Sequence, residues 1–235
     1  MIAALQWTAL GTCLACTIWR VPSMVKGRNR GLFWVCLLAS ACVALSIPSL
    51  YLPFDALLGE ANLANVILRF SSFAVFYLMA VKVAAAYKSP SSLRLIRGPI
   101  GLAVIAVCSL GILATYFFSD FHGSSPGLVG FGDQPMAIAY MWFGMCYPGY
   151  ASACLVQPTA KAVFSNRPVI DRAAASSLCI GFFLIFLTIP LRLLPPHDGF
   201  IVKAVSFGSI LFVATGFVIV WLSFIRRPMK GAASF

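Results

Sequence analysis

Apolar runs of transmembrane length alternate with short polar connections along the whole chain. Seven runs stand out, at about 2–19, 31–53, 63–87, 98–118, 136–157, 173–194 and 200–225. A helix rising ~1.5 Å per residue needs about 20 apolar residues to cross a hydrocarbon layer of ~30 Å. The pattern predicts an all-α integral membrane bundle of seven transmembrane helices over residues 1–225, with a short basic tail at 226–235. The connections leave no room for a soluble domain, and no internal repeat is visible.

Charge then orients the bundle. The connection 20–30 carries Arg20, Lys26, Arg28 and Arg30; 88–97 carries Lys88, Arg94 and Arg97; 158–172 carries Lys161, Arg167 and Arg172; the tail carries Arg226, Arg227 and Lys230. The intervening connections hold no Lys or Arg, but contain Asp55, Glu60, Asp120, Asp133, His197 and Asp198. Cytoplasmic loops collect Lys and Arg, so this alternation predicts an outside N-terminus, a cytoplasmic C-terminus and an odd number of spans. The first run lacks a basic segment before it, which argues for an uncleaved helix rather than a signal peptide.

Composition agrees. The chain has 235 residues, 61% of them hydrophobic and 10% charged. Its formal net charge of +11 would suggest a nucleic-acid partner in a soluble protein. Here the cations lie between apolar runs, where anionic lipid meets them, and no nucleic acid is expected. The localisation expected is the plasma membrane, with the bilayer itself as the main partner. All eight cysteines fall inside apolar runs, so they read as small packing residues, and no disulfide framework follows. The Cys13-x-x-Cys16 pair reads the same way, and neither a metal nor a cofactor is predicted.

Four cations lie within or at the ends of the runs. Lys82 sits near the inner end of its run, where a long stem reaches the headgroups. Arg69 lies six residues into the third run, about 9 Å below the outer boundary at ~1.5 Å per residue. A charge at that depth faces the bundle or a wet cavity. Asn62, Asn65, Arg69 and Ser72 share one helical face and form a polar stripe descending from the outer surface. Arg192, with Thr188 one turn before it, and Lys203, with Ser206 near it, lie toward the same outer side. Two roles compete for these cations. They pair with the outer acids and tie helix ends together, or they attract an anionic solute or a lipid headgroup. In the fifth run Tyr140, Gly144, Tyr147 and Ala151 share a face beside the helix-bending Pro148, making Tyr140 and Tyr147 candidate wall residues. The candidate ligand-binding set is therefore Arg69, Asn65, Ser72, Arg192, Lys203, Tyr140 and Tyr147.

Several motifs dissolve on inspection. Residues 123–127, GSSPG, match a nucleophile elbow, but that chemistry needs a strand–turn–helix context and an orienting partner. Residues 130–133, GFGD, resemble an intramembrane aspartyl protease motif, yet Asp120 and Asp133 fall in a predicted outer loop. A retinal Schiff base needs a lysine mid-way along the last helix, and residues 208–222 contain none. No Gly-Lys phosphate loop is present.

Residues 30–67, with Trp34 opening the second run and then FDALLG and NLANVI, resemble a group of actinobacterial seven-transmembrane proteins described as transporters. The resemblance covers about a third of the chain and implies a seven-span fold and a transport role. Members of that group continue into a cytosolic domain after the seventh span, whereas this sequence ends ten residues beyond Ile225. The expectation is a multi-pass protein binding or transporting a small anionic solute through an outward-facing polar pocket. The alternative is a non-transporting sensor, or a partner subunit of a membrane complex that docks a protein at its cytoplasmic loops or tail. An enzyme ranks last, because the runs hold no acid–base or nucleophile pair.

Overall fold

A computed structural model describes residues 2–27, 30–192 and 200–226, leaving aside the side chains of Ile2, Lys203, Trp221, Phe224, Ile225 and Arg226. Among the described residues the fold is all-helical: α1 (Ile2–Val25), α2 (Arg30–Leu45), α3 (Pro48–Leu57), α4 (Leu63–Ala86), α5 (Pro90–Arg97), α6 (Pro99–Phe117), α7 (Pro135–Val163), α8 (Val169–Leu191) and α9 (Phe200–Arg226), with a 3-10 turn at Pro126–Phe131. Four stretches are long and apolar enough to cross a membrane: α4, α5 with α6 (Pro90–Phe117), α8, and the Phe200–Val220 part of α9. Counted as one broken span, the pair α2 and α3 adds a fifth. These helices mark the chain as a membrane protein.

The elements differ from the sequence pattern in two instructive places. The run expected as one helix over 31–53 is two helices meeting at 93°. Pro48 supplies no N–H and holds Ile47 in extended backbone, with φ −94° and ψ 119°, so the helical ladder stops there. The connection 88–97, expected as a polar loop, contains α5. Ser89 caps it by accepting from the Ser92 N–H at 3.4 Å, and Pro90 occupies its first turn. Arg94 and Arg97 lie in its last turn, where the helix dipole favours cations. The turn into α6 is tight: a Cβ on Gly101 would sit 2.2 Å from the Ile96 carbonyl oxygen.

Contacts close six helices into a ring, in the order α1, α2, α4, α7, α8, α9 and back to α1. The α8–α9 and α7–α8 interfaces are the most extensive. The α6 helix packs outside the ring, mainly on α7, and α5 tucks against α4, α6 and α7. One apolar core joins α4, α7, α8 and α9 around Met79, Leu155, Leu178 and Phe182. A second, rich in aromatic rings, joins α4, α6 and α7 around Phe73, Ile112, Tyr140 and Tyr147. The Lys82 stem runs over Gly31 at the start of α2, so close that a Cβ there would meet Cε at 2.7 Å.

Candidate functional site

The predicted polar stripe on α4 divides into three environments. Its upper part, Asn62 and Asn65, is built into a closed network. Asp55 on α3 is fully buried. Its carboxylate accepts from the backbone N–H groups of Asn62 and Ala64, each at 3.0 Å, and from the Ser124 hydroxyl at 2.6 Å. The acid thus satisfies the orphan donors at the start of α4, whose N-cap Asn62 has φ 56°. The Asn62 amide donates to the carbonyls of Phe121 (3.2 Å) and Gly123 (2.8 Å). Its Oδ1 accepts from Tyr51 Oη (2.9 Å) and from the Ser125 N–H (2.7 Å). Asn65 donates to Tyr51 Oη at 2.8 Å and to the Ser125 carbonyl at 3.3 Å. Asn65 therefore holds the 121–125 loop over the helix end and does not orient Arg69. The GSSPG segment serves this network, with Ser125 Oγ accepting from the Gly130 N–H at 3.0 Å.

Arg69, one turn further along α4, crosses to α7. Its guanidinium lies over the Tyr140 ring, with Cζ 5.7 Å from the centroid. It rests directly on Gly144, where a Cβ would sit 2.6 Å from Nε and 2.8 Å from Cζ. Only a glycine admits the side chain at that level. Among the described residues no carboxylate lies within ion-pair distance of Arg69, and the acid expected to neutralise it, Asp55, is committed to α4 and Ser124. His122 and Asp120 pair with each other on the exposed loop. Arg69 Nε, Tyr140 Oη, Tyr147 Oη and Ser152 Oγ are all buried without a hydrogen-bond partner. Tyr140, Tyr147 and Ser152 descend along α7, and the Tyr147 ring meets Phe73 edge-on at 5.2 Å. Cation–π contact compensates part of the cost of burying Arg69, worth roughly 2 kcal/mol when desolvated, but leaves the hydrogen-bonding capacity of Nε unused.

Ser72, a turn beyond Arg69, faces elsewhere. It lines a cavity of about 400 Å³ inside the helix ring, walled by α1, α2, α4, α8 and α9. Cys13, Cys16, Cys36 and Cys42 contribute to the same wall, as does Arg20 at one end. Arg192, the C-cap of α8, directs Nη1 to Met141 Sδ at 3.9 Å, so it also reaches α7 within the 140–144 stretch. The side chain of Lys203, together with His197, Asp198 and the tail beyond Arg226, lies outside the described residues.

The structure thus brings Arg69 and Tyr140 together and places Arg192 against Met141, the next residue of α7. Asn65 and Ser72 are assigned to other tasks. The cavity and its Arg20 end were not anticipated. Cys13, Cys16 and Arg20 follow one another at helical spacings of 3 and 4, a face legible in the sequence once α1 and α2 are known to pair. Comparison with family models, with curated proteins and with solved structures finds no match to this chain.

Proposed function

We propose that the chain is a seven-span plasma-membrane protein, with its N-terminus outside, that binds a small anionic solute at Arg69 as a step in transport. The seven long helices follow the order of the seven apolar runs, and the basic connections alternate with the acidic ones. The less apolar α7 fits this topology, because it packs against α4, α5, α6 and α8 and its Tyr, Ser and Gly positions are buried.

The observation that carries the binding role is the surplus of buried polar capacity at Arg69. A cation among helices normally meets an acid or a ring of carbonyls, and buried polar atoms are normally paired. Here a guanidinium nitrogen and the tyrosine hydroxyls of the same wall are left over. A carboxylate or oxyanion reaching the guanidinium would accept from both kinds of donor and neutralise the charge.

The test is thermal unfolding of the purified protein against a panel of anionic solutes, for wild type and Arg69→Gln side by side. A ligand at a hundredfold excess over Kd stabilises the folded state by about 2.7 kcal/mol. The expected result is a solute that raises the wild-type midpoint and not that of Arg69→Gln, and that the wild type then carries into proteoliposomes. A panel without effect, combined with a plainly less stable Arg69→Gln, would make Arg69 a structural element and overturn the reading.

A further inference from the structure

The chamber inside the helix ring is chemically unlike the Arg69 site. Among the described residues of its wall the single charged side chain is Arg20, and no carboxylate lies within ion-pair distance of it. Cys36 on α2 and Arg20 on α1 line the wall together. Everything deeper is apolar or thiol, apart from Ser72 at the far end. A cavity of about 400 Å³ falls within the range of small-molecule sites.

Its shape is set by the helices. The wall extends along α4 from Ser72 to Met79 and along α1 from Cys13 to Arg20, about 10 Å in each case at ~1.5 Å per residue. A saturated carbon chain advances ~1.25 Å per atom, given single bonds of ~1.52 Å and angles of ~111°. The chamber therefore takes about eight carbons in extended form, with a head at Arg20. The ring is closed by helix contacts all the way round, which disfavours a chain still tethered to a two-chain lipid in the surrounding bilayer.

We propose that the chamber binds a single-chain anionic amphiphile, a medium-chain fatty acid, with its carboxylate on the Arg20 guanidinium and its chain running toward Ser72. The apolar wall strips water from the chain, worth about 0.8 kcal/mol per buried methylene. A bidentate pair with Arg20 fixes the head. A neutral alcohol of the same length satisfies the first interaction alone, so it should bind more weakly. Nothing in this assignment depends on Arg69, and the two sites fail separately: Arg69→Gln should leave the chamber intact.

Trp19, in the wall beside Arg20, makes the test direct. The protein in nanodiscs is titrated with 2-bromooctanoate, whose bromine, next to the carboxylate, quenches indole fluorescence at contact. The expected result is saturable quenching whose saturable part disappears in Trp19→Phe. Arg20→Gln should raise the half-saturating concentration at least tenfold, and 2-bromooctan-1-ol should behave on wild type as the acid does on that variant. Ala214→Phe, which fills the chamber from α9, should abolish saturation while its unfolding midpoint stays within a few degrees of wild type. Quenching that is linear in probe, or equal in wild type and Arg20→Gln, would overturn the proposal. So would saturable quenching by a brominated phosphatidylglycerol that octanoate does not displace, since a bilayer chain would then be the occupant.

Discussion

Asn65 and Arg69 stand one turn apart on the same helix and face opposite polar conditions. Around Asn65 every strong donor has an acceptor. Asp55 binds two backbone N–H groups and a hydroxyl, Tyr51 bridges two asparagines, and the 121–125 loop supplies the remaining carbonyls. Around Arg69 the count does not close: Nε and the hydroxyls of Tyr140 and Tyr147 are buried and unmatched. A saturated network is explained by the fold it holds together. An unsaturated one costs stability, and it is on this cost that the proposed binding role rests.

That contrast predicts that stability and ligand response rank in opposite orders. Asp55→Ala should have the largest effect on folding, about 3 kcal/mol or more, because it strands two buried helix-end donors and the Ser124 hydroxyl. Its unfolding midpoint should fall sharply. If it melts like wild type, the network is ornamental and the comparison breaks. Gly144→Ala comes next. The new Cβ forces the Arg69 guanidinium to shift, an overpacking cost of roughly 1–2 kcal/mol, and should weaken solute binding in the same assay.

Arg69→Met should lie within about 1 kcal/mol of wild type, on the stabilising side, because it removes a desolvated charge that has no acid partner. Denaturation in detergent checks this, and a loss above 3 kcal/mol would place Arg69 with Asp55 as a strut. Tyr140→Phe is the finest probe. Deleting an unmatched hydroxyl should move the midpoint by less than about 0.5 kcal/mol, yet reduce the solute-induced shift if that hydroxyl donates to the ligand.

The helices were legible in the sequence because each run is far longer than a chance apolar stretch. The corner between α2 and α3 was half legible. Pro48 marks the break, but the right angle depends on Tyr51 and Asp55 reaching partners at residues 62–65 and 124, which no local pattern contains. The α5 helix carried its own signals, Ser89-Pro90 at the start and Arg94 and Arg97 at the end, and was hidden by its polarity. Arg69, singled out from its depth, is half-buried and reaches Tyr140 and Gly144 on α7. Its neighbours diverge: Asn65 and Ser72 share its face in projection, but a helix packed against several others presents that face to different elements at successive turns. The chamber is a property of ring closure between α1 and α9, some two hundred positions apart in the chain, and periodicity is blind to it.

In the proposed seven-span topology the corner at Ile47 also acts on the lipid around the protein. At ~1.5 Å per residue the 16 residues of α2 extend about 24 Å, short of a ~30 Å hydrocarbon layer. The chain makes up the difference sideways. The α3 helix turns Tyr51 and Asp55 inward and leaves Leu50, Leu52, Phe54 and Leu57 outward, an apolar face lying across the ends of the acyl chains. A segment placed so displaces area in one leaflet and not in the other. The molecule should therefore thin the bilayer beside α2 and favour membranes that bend or thin cheaply, partitioning by bilayer thickness as well as by any ligand.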